Sequence, residues 1–393
     1  MVDAAWWIPY RPDVEIRRIE DGGALAALLR DAAAGPVALD VEADSLHHYA
    51  EKVCLVQLSF PGTDALIDPL AGLDLAPMGR LLADPAVRKV LHGADYDLRV
   101  LHRDFGFEMR GLTDTMIAAR LAGERAFGLA ALLDKHFGVL LDKRHQRADW
   151  SVRPLPPEMA AYAVLDTRHL LDLAAILEER LTALGRWAWA EEEFRRLEAV
   201  RWTGDAADPE AWRRVKGTSG LDRRALAAVR ELHAWRDGRA RRRDVPPFKI
   251  LRDEVLVVLA TASPEDERGL AATAGLPRAL ASGPPARDLL GTLVRARALP
   301  DSELPEVRRG VRVRPSPEFE ARVRVLAEAR DRMADALDLE PSLVAPRGGL
   351  EAVVRREEEG VPLAEALEVP ELRAWQVALL RDALRSSAAA PRT

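Results

Sequence analysis

The stretch GPVALDVEAD, residues 35–44, decides how the first half of the chain is read. Val37, Ala38, Leu39 and Val41 form an apolar run of the kind that makes a buried strand, yet Asp40 and Glu42 stand inside it two positions apart. Alternate residues of a strand share a face, so both acids project side by side. Like charges at that spacing repel. A positive group sits between them, or one is protonated, or the strand end is open to water.

Outward from this strand, similar runs at 37–41, 53–60, 64–67 and 87–91 alternate with helical patterns such as GALAALLRDA, which predicts an α/β domain. The 393 residues are 48% hydrophobic and 31% charged, sufficient for two or three domains with cores of their own. The opening MVDAAWWIPYRPDVEIRRIE lacks a basic segment followed by an apolar one, and no later run reaches bilayer length. A cytoplasmic protein without membrane contact is expected. The lone Cys54, in VCLVQLSF, has no partner for an internal disulfide and belongs in a core.

After SVRPLPPE the pattern is helical almost throughout. Pro156 and Pro157 are placed to open a helix continuing through EMAAYAVLDTRHLLDLAAILEERL, with Glu158 in its first turn. Breaker clusters at TGDAADPE (203–210) and ASGPPARD (281–288) divide the chain into 1–204, 208–286 and 289–385, with a tail at 386–393 expected to be disordered. The last two units look like a degenerate repeat, each with a long central helix and a proline-containing turn. In the first of them Arg236, Arg239, Arg241, Arg242, Arg243 and Lys249 gather around that turn against only Asp237 and Asp244. A net charge of −6 argues against a nucleic-acid partner, but this local cluster has the character of a phosphate footprint or of a solvated helix end. Trp212 suits base stacking or plain packing.

Further acids fit the opening pair. In VLHGADYDLRVLHRDF a strand ends at Leu91, Gly93 permits a tight turn, and Asp95 sits where an N-cap belongs. Leu98, Leu101 and Phe105 mark the buried face, which leaves Asp97 as the better ligand candidate. Asp114 is expected to cap the next helix. In AYAVLDTRHLL, Tyr162 and Asp166 stack one turn apart. Asp40, Glu42, Asp97 and Asp166, with no histidine or cysteine cluster, suit hard cations such as Mg²⁺ or Mn²⁺. Two such ions about 4 Å apart would activate water and stabilise a leaving 3′ oxygen in phosphodiester hydrolysis. They would also let Asp40 and Glu42 stay ionised side by side.

ALDVEADS, LHGADYDLRVL and AYAVLDTRHLL, in this order, resemble the three motifs of the DEDD exonucleases, and the tyrosine four residues before the last aspartate marks the DEDDy branch. CLVQLSF, TDTMIAARL and LDKRHQRADWSVRPLPPEMAAYAVLD look like ribonuclease D. WRRVKG and AWRDGRARRRDVPPFKIL are similar to the HRDC domain of ribonuclease D and RecQ-type helicases. The resemblance spans residues 10–285 and implies a ribonuclease H-like α/β exonuclease domain, a mixed sheet flanked by helices, followed by two all-α HRDC-like domains, the second divergent. It implies that Asp40, Glu42, Asp97 and Asp166 bind two divalent ions, that Tyr162 orients the attacking water, and that nucleoside 5′-monophosphates are released from RNA 3′ ends, tRNA precursors among them. RNA contact is then expected from Arg239, Arg241, Arg242, Arg243 and Lys249, with Lys143, Arg147 and Trp150 also placed to meet substrate. No Walker-type loop occurs, so no nucleotide cofactor is expected, and a monomer is. A DNA exonuclease on the same fold and a non-catalytic RNA-binding scaffold are the alternatives.

Overall fold

The computed structural model describes residues 15–141, 144–204, 208–307 and 315–389, apart from the side chains of 386–389. The first domain is built on a six-stranded mixed sheet of β1 (Ile16–Ile19), β2 (Val37–Ala43), β3 (Val53–Phe60), β4 (Thr63–Ile67), β5 (Lys89–Leu91) and β6 (Leu112–Asp114), ordered β1-β4-β3-β2-β5-β6. The pairs β2–β3 and β3–β4 are antiparallel and the others parallel. With β3 on one side and β5 on the other, β2 has both edges paired, which explains its apolar content.

The pleat of β2 separates two chemistries. Val37, Leu39 and Val41 enter one core with side chains of α1 (Gly22–Ala32), α2 (Ala76–Ala83) and α3 (Asp95–Phe105). Ala38, Asp40 and Glu42 face the other way, and Ala38 packs with Leu170, Leu173 and Leu177. That second layer comprises α4 (Thr115–Leu121), α5 (Leu129–Phe137), α6 (Pro157–Ala163), α7 (Leu165–Arg168), α8 (Leu170–Ala183) and α9 (Trp187–Leu197). The helix expected to run unbroken from Pro157 is thus three pieces, interrupted at Val164 and His169.

The first helical unit contains α10 (Arg223–Arg243), α11 (Pro247–Ile250), α12 (Asp253–Ala262), α13 (Glu267–Ala271) and α14 (Gly283–Ala298). Here the structure moves a boundary. Gly283, Pro284 and Pro285 form the first turn of α14 rather than a linker, and Ala286, Leu289, Leu293 and Ala296 share a core with Leu232 and Leu256. The second unit contains α15 (Pro317–Leu337), α16 (Pro341–Val344), α17 (Arg347–Glu358), α18 (Leu363–Ala366) and α19 (Ala374–Ala389), so 386–389, expected to be disordered, continue a helix. The two units repeat one motif. Each has a 21-residue helix closed by a left-handed aspartate, Asp244 at φ 47° or Asp338 at φ 51°, then a proline-led four-residue helix and a return helix. Among the described residues no helix is long and apolar enough to cross a membrane.

Candidate active site

Three elements bring the acids together. β2 supplies Asp40 and Glu42 on one face, and its pairing register with β3 shifts between Glu42 and Ala43, a bulge that bends the strand just past them. The first turn of α3 supplies the buried Asp97, and α7 supplies Asp166. Asp40, Glu42 and Asp166 each present an oxygen within 4.8 Å of the others. Asp97 stands beside them: its charge acts on both Asp40 and Glu42, and the backbone amide of Val41 serves Asp40 and Asp97 alike.

Electrostatics record the crowding. Burial, then the charges of Asp97, Asp166 and Glu42, push the Asp40 carboxyl well above the usual carboxylate range. Burial and the charges of Asp166 and Asp97 raise Glu42 to about 9. Burial likewise raises Asp97 to about 8 and Asp166 to about 7. Each group gains from an added positive charge. Directly opposite Asp40 in the ladder, and so on the same face, the fully buried Gln57 has an amide whose two polar atoms have no hydrogen-bond partner among the described residues. Oxygen-only donors, mutual repulsion and an orphaned amide fit a divalent cation.

Tyr162, at the end of α6, is half-buried. Its ring lies 5.6 Å from that of His145, edge-on, and 6.0 Å from that of Trp150. Trp150, expected at the substrate, is instead buried, and Arg147 is exposed on the same segment. Lys143 lies outside the described residues. Trp212 is buried beneath Arg213, a packing residue.

Asp95 is not a cap. Asp114 accepts from the Gly93 and Ala94 N–H groups at 3.2 and 2.8 Å and caps α4 through Met116 and Ile117, so the turn before α3 is already satisfied and Asp95 pairs with Arg99 on the surface. A second buried network escaped the sequence reading. Ser59 donates to Asp64 at 2.7 Å and lies 2.7 Å from the Thr167 hydroxyl, while Arg168 donates to Asp64 at 2.6 Å. It ties α7 to β3 and β4 at the two residues after Asp166. An acid inside the apolar strand TDALI was the available clue, of the same kind as Asp40.

The basic cluster divides. Arg236 is buried against Asp253, Arg239 lies over Trp235 at 5.6 Å with Asp288 at 4.0 Å, and Arg241 lies over Tyr49 at 5.2 Å. Arg242, Arg243 and Lys249 are exposed.

Residues 16–182 match the family model for the 3′-5′ exonuclease domain, and residues 225–282 match that for the HRDC domain. Ribonuclease D of Acidiphilium cryptum (strain JF-5) is 38% identical over 372 residues, 93% of this chain and 92% of its own length. The crystal structure of Escherichia coli RNase D, described as an exoribonuclease involved in structured RNA processing, aligns with a TM-score of 0.68 and 29% identity over 95% of this chain and 99% of that one. The catalytic core of RRP6 from Trypanosoma brucei aligns with a TM-score of 0.64 and 29% identity over 73% and 81%. Near full-length similarity to the two ribonucleases D, with an acid-bearing strand and two helices converging at one site, makes the chain a member of the ribonuclease D family.

Proposed function

We propose that the chain hydrolyses RNA from its 3′ end and releases nucleoside 5′-monophosphates, with Asp40, Glu42, Asp97 and Asp166 holding two divalent ions, Mg²⁺ or Mn²⁺. The observation that supports this best is the convergence of three carboxylates within 4.8 Å in surroundings that raise the pKa of each. When bound, the ions supply the positive charge that water activation and departure of the 3′ oxygen require. Tyr162, its ring packed by His145 and Trp150, directs its hydroxyl at the attacking water. The exposed Arg242, Arg243 and Lys249, with Arg147, would meet the phosphate backbone of a longer RNA. The shared order of elements supports reading the second helical unit as HRDC-like too. Maturation of tRNA 3′ ends by a cytoplasmic monomer completes the proposal.

The test is hydrolysis of matched RNA and DNA oligonucleotides with Mg²⁺, using Asp97→Asn as the control. Stepwise release of ribonucleotides by the wild type and none by the variant supports the proposal. Cleavage of DNA alone points to the DNA exonuclease, and RNA bound but uncut by both points to a scaffold.

A further inference from the structure

The loop that leaves the acidic strand is held from two sides. Asp44, the last acid of the opening stretch, is fully buried and accepts from the backbone N–H of Lys52 at 2.8 Å and from its ammonium, closing residues 44–52 into a loop. At its tip, His48 and Tyr49 meet the end of α10. Asp244 lies 2.7 Å from His48 Nδ1 and accepts from the Tyr49 backbone N–H at 3.2 Å. The Tyr49 hydroxyl donates to Asp237 at 2.6 Å and accepts from Arg241 at 3.1 Å.

His48, with its neighbour His47, also grips the segment that covers Tyr162. His48 Nε2 lies 2.9 Å from the Ser151 hydroxyl, Ser151 donates to Asp149 at 2.6 Å, and His47 Nε2 lies 3.0 Å from the Arg147 carbonyl oxygen. On the same segment, His145 and Trp150 pack on the Tyr162 ring. A continuous set of contacts therefore runs from Asp244 through His48 and Ser151 to the tyrosine.

We propose that Asp244 is a positioning residue for hydrolysis. By fixing His48, it sets the segment 144–151 and, through His145 and Trp150, the ring of Tyr162, so that the first helical unit contributes to the chemical step as well as to RNA capture. This rests on the water-orienting role given to Tyr162. A displacement of about 1 Å at a reacting group can cost on the order of 100-fold in rate, which makes a contact outside the site able to act on kcat.

Asp244 offers a clean test because it is an anion. It has no attraction for phosphate, so its removal should not weaken RNA binding. With a short single-stranded RNA, Asp244→Ala should lower kcat roughly 10- to 100-fold and leave KM unchanged or lower. Asp244→Asn keeps an acceptor oxygen and a residue tolerant of positive φ, and should restore most of kcat. Amide hydrogen exchange over residues 144–151 should rise in the alanine variant and not in the asparagine variant. If the alanine variant does not fold, His48→Phe, which removes the contacts with Asp244 and Ser151, should lower kcat in the same sense. An unchanged kcat, or a raised KM with kcat kept, would overturn the proposal. A wild type that hydrolyses nothing would sink the functional reading instead, and unchanged exchange over 144–151 would then still refute the coupling.

Discussion

Burial and its neighbours raise Glu42 to about 9, and its behaviour fixes how the protein should respond to pH and metal. A carboxyl with a raised pKa binds its proton more tightly folded than unfolded. Its contribution to stability is complete below the unfolded value and is lost as pH rises through the folded one. With Asp166, Asp97 and Glu42 at about 7, 8 and 9, the metal-free protein should lose stability steadily between about pH 5 and pH 9. Glu42→Gln should flatten that loss while abolishing hydrolysis, and Mg²⁺ should raise the wild-type Tm most at the alkaline end and less in the variant. Thermal melts with chelator and with Mg²⁺ across this range check it; a wild-type Tm insensitive to metal would count against the site. Tyr162 makes a separate prediction. A hydroxyl that orients water acts on the chemical step, so Tyr162→Phe should reduce kcat by about 10²–10³-fold with KM nearly constant. Steady-state kinetics on a short RNA decide, because a substrate-packing tyrosine would raise KM and spare kcat.

The four residues of α7 show why an element can matter more than its length. Broken from α6 at Val164 and from α8 at His169, α7 cannot inherit its position from a continuous helix, and Asp166 depends on the contacts of Thr167 and Arg168 with Ser59 and Asp64. Arg168→Met leaves Asp64, 4% exposed, without its cation and should destabilise the protein by about 3 kcal/mol. It should also shrink the rise in Tm caused by Mg²⁺, which a purely structural ion pair would leave intact; Arg168→Lys should recover part of both. Denaturant unfolding with and without metal measures the two effects. None of this was visible in the periodicity of AYAVLDTRHLL, where apolar residues suit an unbroken helix and the breaks come from tertiary bonds to β3 and β4. The acids themselves were legible because charge inside an apolar strand is conspicuous. So was the cap Asp114, whose extra bonds to Gly93 and Ala94 displaced the expected cap at Asp95. β1 and β6 escaped notice for opposite reasons: IRRI carries two arginines, and LTD has three residues, too few to show alternation. Gly283-Pro284-Pro285 misled because the residues that break a chain are also those that start a helix.

Across the whole molecule, both helical units meet the first domain at the same pole of the repeated motif. Asp244 binds His48 and Tyr49, and Asp338 pairs with Arg125, while Arg186 donates to the carbonyls of Leu121 and Leu337 at 2.9 and 2.7 Å and Trp189 stacks on Trp375 at 5.0 Å. Domain docking therefore uses part of the basic cluster that the sequence offers to RNA. Arg241 makes that contact, with Tyr49, while Arg239 is engaged inside its own unit with Trp235 and Asp288. Arg242, Arg243 and Lys249 keep exposed cations on this unit. Phosphate contacts release counterions, so affinity for single-stranded RNA should fall with salt at a logarithmic slope of roughly −0.7 for each phosphate neutralised. Removing Arg242, Arg243 and Lys249 together should then flatten the slope by about two units if all three touch phosphate. Arg241→Ala, which loosens the contact with Tyr49, should change the slope little. The measurement is binding of a single-stranded RNA long enough to reach this unit to wild type, triple variant and Arg241→Ala over a salt series. Equal slopes for wild type and triple variant would show that these cations only solvate a helix end, and RNA capture would fall to the exonuclease domain. A loss of slope in Arg241→Ala as large as in the triple variant would mean instead that the docked arginine leaves Tyr49 when RNA arrives.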